Sequence, residues 1–113
     1  RPLVNLGLCY SRLGDDKAAE DFFLKALRLD SANAQTLFGL GELYYRNGRH
    51  YEARKQLGDL HRIGEPNAQS AWLALLIERK VGDREGEARY VSMLRRKFQG
   101  SPEYQKLMQG QYQ

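Results

Sequence analysis

The chain is poor in the residues that most active sites need. Its 113 residues include one cysteine, Cys9, and two histidines, His50 and His61. A single cysteine cannot close an internal disulfide, and it does not fix the redox compartment. A metal site needs several ligands at suitable spacing, and one Cys with two scattered His does not supply them. No strand is evident, so no glycine-rich phosphate loop follows one. Low-complexity sequence is absent, and the longest apolar run, 71–77, is far too short to span a bilayer. There is no leader pattern: Arg1-Pro2 runs straight into a periodic helical segment, with no capping residue ahead of it. Either the protein is cytosolic, or this is a piece of a longer protein whose leader lies upstream. A net charge of +4 falls well short of the dense basic patch of a dedicated nucleic-acid binder.

What is present is ordinary for one globular domain with a modest core: 42% apolar and 28% charged residues. The strongest signal is an internal repeat. Gly14, Gly48 and Gly82 recur at a spacing of 34. In the windows that hold them, Leu3, Leu37 and Ala71 align, as do Leu6, Leu40 and Ala74. Phe23, Leu57 and Val91 also align, and so do Ala26, Leu60 and Leu94. Tyr10 and Tyr44 share a column in which Glu78 is out of pattern. Within each window apolar residues step by three or four, as on one face of a helix. Each window therefore reads as a helix, a tight glycine turn and a second helix. The small residues Gly7, Gly41, Ala19 and Ala53 should let paired helices approach closely.

Helices are expected over 2–13, 16–29, 34–46, 49–62, 67–81, 84–98 and 102–110. The linkers carry helix stop and start chemistry at Ser31-Ala32-Asn33, Gly64-Glu65-Pro66-Asn67 and Gly100-Ser101-Pro102. The fold class is all-α: an α-solenoid of three helix-turn-helix pairs (1–33, 34–67, 68–100) plus a C-terminal capping helix in 101–113, in one domain. A first helix without a predecessor would leave an apolar surface near Leu3, Leu6 and Tyr10, which favours self-association.

Leu3, Leu6-Gly7, Tyr10, Gly14, Ala19, Phe23 and Ala26 resemble the tetratricopeptide repeat, with Ser31 in place of its usual proline. The second window matches through Leu37, Leu40-Gly41, Tyr44, Gly48 and Ala53, and the third mainly through phase and Gly82. This register puts Cys9 in the column of Leu43 and Ile77, as a small apolar filler on a helix. It is not a lipobox cysteine, since Leu8 precedes it where a small residue is required, and nothing brings a histidine base to it. Asp15-Asp16 and Glu20-Asp21 read as helix-start acids rather than catalytic carboxylates. Arg95-Arg96-Lys97 and Arg79-Lys80 read as solvated helix ends.

The resemblance also implies a binding surface, because the first helix of each pair lines the concave face of such arrays. Those positions are Val4, Leu8, Ser11 and Arg12; Phe38, Glu42, Tyr45 and Arg46; and Gln69, Trp72, Leu76, Arg79 and Lys80. Val4, Phe38 and Trp72 would form an apolar ladder, rimmed by Tyr45 and by Arg12, Arg46 and Arg79. Aromatic-plus-arginine surfaces are what binding hot spots look like. The alternative is that Phe38 and Trp72 are core. The groove lacks the Lys and Asn with which chaperone-binding repeats clamp an acidic C-terminus; Val4, Leu8, Glu42, Gln69 and Leu73 stand there instead.

The last third, with Trp72-Leu73, the Val-Gly-Asp turn at Val81, Glu87-Ala88-Arg89-Tyr90 and Ser101-Pro102-Glu103, is similar to the C-terminal region of the PilF/PilW family of type IV pilus biogenesis lipoproteins. That resemblance implies a non-catalytic pilotin without cofactors. It would sit on the periplasmic face of the outer membrane and bind the pilus secretin or other pilus machinery, with no nucleic-acid partner. Its membrane contact would come only through an N-terminal lipid anchor absent from these residues. A cytoplasmic tetratricopeptide adaptor, or the docking region of a larger enzyme, remains the alternative.

Overall fold

The computed structural model describes residues 2–113. Its elements are helices α1 (Pro2–Arg12), α2 (Asp16–Leu29), α3 (Ala34–Arg46), α4 (His50–Ile63), α5 (Ala68–Val81), α6 (Arg84–Lys97) and α7 (Pro102–Met108). The described residues are all-α, with helix-turn-helix pairs of the tetratricopeptide kind. The chain divides into two compact units, Arg1–Gly64 and Glu65–Gln113.

Local chemistry sets the helix starts. Asp15 accepts a hydrogen bond from Ala18 N at 3.1 Å, Asn33 from Thr36 N at 2.9 Å, Asp83 from Gly86 N at 2.9 Å and Ser101 from Tyr104 N at 3.1 Å. Asn67 and Ser70 cap α5 reciprocally. Asn67 is thus the cap of α5 and not its first residue, and Arg49 likewise precedes α4. At the turns Gly14, Gly48 and Gly82 take φ of 83°, 77° and 81°, a left-handed backbone that a side chain disfavours. The expected last helix ends early, at Met108, because Gly110 at φ 68° turns the chain off it. Gly64 is extended, and α6 stops at Lys97, three residues before Gly100.

In the first unit α1 packs on α2, α3 on α4, and α2 and α1 both meet α3. Phe23 of α2 is the keystone, fully buried between two glycines. A Cβ on Gly7 would stand 2.6 Å from its ring, and one on Gly39 2.7 Å. Around it lie buried Ala19, Ala26, Leu37, Leu40 and Leu43. Several α1 columns are less buried than their α3 counterparts: Leu6 is 39% exposed where Leu40 is buried, and Leu13 falls in the turn, 78% exposed. Cys9 is exposed too, although its column partner Leu43 is buried. It is therefore not a buried filler, because no helix among the described residues covers that side of α1.

In the second unit α6 lies along α5, and α7 packs on both. Residues Ala71 to Glu78 of α5 are all buried. Among the described residues no helix is long and apolar enough to cross a membrane.

Candidate partner-binding surface

In the first unit the expected surface residues lie on α1 and α3, and a polar clasp joins the two helices near their C-terminal ends. Arg46 of α3 donates to Ser11 Oγ of α1 at 3.1 Å and to Asp16 Oδ1 at 2.8 Å. Asn47 donates to the other Asp16 oxygen at 2.9 Å. Donation from Arg46, then from Asn47, lowers the Asp16 pKa. Arg46 is thus a bridged cation and not the free rim charge expected of it. Arg12 and Glu42 are exposed, while Leu8, Phe38 and Tyr45 are half-buried. The Tyr45 ring tilts against His50 at 5.6 Å. Val4, at 2% exposure, belongs to the core and is closed to a partner. Glu42 is desolvated enough by surrounding protein that its pKa is raised, against the lowering influence of Arg46.

In the second unit the expected polar residues Gln69, Arg79 and Lys80 are exposed, but the expected apolar ones are not open. Trp72 and Leu76 are each only 6% exposed. Trp72 is covered by a residue the repeat pattern does not reach: Tyr112, beyond α7, stacks on it at 6.1 Å and 15°. The exposed Arg79 lies over the same Tyr112 ring at 3.7 Å and pairs with Glu87 of α6 at 3.0 Å.

A second cluster also escaped the sequence. Arg49 grips Glu20 through two nitrogens at 2.8 and 3.1 Å and Glu52 through two at 2.8 Å. Its guanidinium lies 4.3 Å from the Tyr44 ring centroid, and the Tyr44 hydroxyl donates to Glu20 at 3.0 Å. Donation from Arg49 holds the Glu20 carboxyl below its usual range. Burial, then the bond to Glu20, pushes the Tyr44 phenol up to about 12. These groups bind α2 to the α3–α4 turn, and the cluster is structural. Its only sequence trace was the alignment of Tyr44 with Tyr10.

Tetratricopeptide-repeat family models match residues 1–33 and 22–55. Residues 1–55 are thus tetratricopeptide-repeat sequence. It is 30% identical over 105 residues, 93% of its length, to the type IV pilus assembly protein PilF of Pseudomonas aeruginosa, and covers 42% of that protein. A solved structure of Pseudomonas aeruginosa PilF superposes with a TM-score of 0.85 at 28% identity, over 96% of this chain and 49% of PilF. The crystal structure of PilW, a widely conserved type IV pilus biogenesis factor, also gives 0.85, at 20% identity, over 94% of this chain and 49% of PilW; that likeness is one of fold. A 51-residue stretch, 45% of this chain, is 43% identical to 6% of the human protein O-mannosyl-transferase TMTC1. The chain thus resembles type IV pilus biogenesis factors and spans about half their length.

Proposed function

We propose that residues 1–113 act as one non-catalytic docking domain in type IV pilus biogenesis. Its role is that of a pilotin, which meets the pilus secretin and assists its localisation and assembly at the outer membrane. The observation that carries this reading is the 30% identity to PilF, over 105 residues that span 93% of the chain. The setting is the periplasmic face of that membrane, and attachment runs through a lipid anchor rather than through these helices.

The docking face is the α1–α3 surface of the first unit. Leu8, Phe38 and Tyr45 offer apolar and aromatic area that is only half covered, with Arg12 and Glu42 exposed beside them. Interfaces of this make-up concentrate their energy in a few aromatic and arginine anchors. Calorimetric titration with the secretin's outer-membrane domain tests the reading. Phe38→Ala and Tyr45→Ala, each verified as helical, should weaken binding about 10- to 100-fold. Binding that neither change weakens would move the site off this face. No binding, even by the full gene product, would overturn the secretin assignment.

A further inference from the structure

Tyr112 behaves as a ligand of its own protein. It lies past the end of α7, in a segment without regular structure, and Gly110 at φ 68° turns that segment away from the helix axis. Gln109, Gly110, Gln111 and Gln113 around it are exposed, and Tyr112 alone is partly covered. Its ring meets two side chains that stand about two turns apart on α5: the indole of Trp72, near-parallel at 15°, and the guanidinium of Arg79 at 3.7 Å. Both partners are pre-set. Trp72 is in a helix that is buried along most of its length, and Glu87 holds the Arg79 guanidinium through a 3.0 Å bond. An aromatic face beside a fixed guanidinium is a receptor for one flat ring, which it holds by stacking and cation–π attraction. The occupant is carried by a segment without regular structure, which must lose chain freedom to dock. A slot built on a buried helix is thus filled by a ring from an irregular segment.

We propose that the Trp72–Arg79 slot is a subsite for an aromatic side chain of a partner peptide, closed in the free protein by Tyr112 and opened when the partner's ring displaces it. The occupant is a peptide that presents tyrosine or phenylalanine, the ring class already seated there. This inference does not depend on which pilus component meets the first unit, and its test uses no secretin.

Trp72 is the only tryptophan in the chain, so its fluorescence reports the slot directly. Tyr112→Ala should shift Trp72 emission to the red and increase its quenching by acrylamide, with the helical circular dichroism unchanged. Tyr112→Phe keeps the ring and should retain the parent's emission. Titrating the Tyr112→Ala protein with the synthetic peptide Gln-Gly-Gln-Tyr-Gln should restore the blue emission saturably. The same peptide with alanine for tyrosine should do nothing. The parent should bind the tyrosine peptide about tenfold more weakly, as expected if Tyr112 fills the slot nine times in ten. Arg79→Gln in the Tyr112→Ala background should weaken peptide binding. Unchanged Trp72 emission in Tyr112→Ala would show that Tyr112 does not close the slot. A red shift without saturable, tyrosine-dependent recovery would make Tyr112 a mere cover. Either result overturns the proposal.

Discussion

Single residues here act mainly through what they leave no room for. Phe23 occupies the space that Gly7 and Gly39 vacate, and an added methyl at residue 39 would fall 2.7 Å from Cζ of its ring. Overpacking of this kind costs about 1–3 kcal/mol, and the better helix propensity of alanine returns up to about 1. Gly39→Ala should therefore lower unfolding stability by about 1–2 kcal/mol in urea titrations. Adding Phe23→Leu should recover part of that loss; a larger, additive loss would show that the ring is not the obstacle. Glu42 makes the opposite case, a residue whose presence weakens the fold. Its pKa is raised from 4.5 by burial. Such a group adds stability below its unfolded pKa and gives it up as pH rises through the folded value. Glu42→Gln should thus be at least as stable as the parent at neutral pH, an advantage that fades at acid pH. The same change should weaken partner binding, because Glu42 is exposed on the α1–α3 face and its charge is there at a cost to the fold. Thermal melts across pH, paired with secretin titrations, check both halves.

At the scale of elements, the sequence was a good guide wherever structure is local. Apolar periodicity and the recurring Gly14, Gly48 and Gly82 place all seven helices within two residues of their ends. Capping residues explain the two discrepancies at helix starts: Asn67 and Arg49 stand where a first helical residue was expected. Partnerships between helices were less legible. The register of the repeat puts Arg46 on the face it occupies, but only the fold brings Ser11 and Asp16 to it. The Glu20–Tyr44–Arg49–Glu52 cluster joins residues from three elements that share no column. Tyr112 belongs to no element, so no periodicity could assign it to Trp72. The repeat pattern marked Trp72 and Leu76 as surface because it describes an isolated unit helix. In α5 the neighbours α6 and α7, and Tyr112 over Trp72, bury them.

For the molecule as a whole, acid should be the damaging direction. Asp16 and Glu20 both have pKa values lowered by arginine donors. A carboxyl depressed in the fold contributes stability that is present above its unfolded pKa and lost as pH falls through the folded one. Unfolding free energy should therefore decline below about pH 4.5, the ordinary value for Glu20. Glu20→Gln should flatten part of that decline while lowering stability at neutral pH; an unchanged acid limb would remove Glu20 from the account. The clasp around Phe23 bears as well on how such a chain can change over generations. Residues 7, 23 and 39 lie on three separate helices but share one volume. A lineage that gains a side chain at either glycine is pressed to shrink residue 23, and one that shrinks residue 23 first frees both glycines to drift. The three positions are coupled through that volume, and only a path that begins at Phe23 avoids the clash at every step.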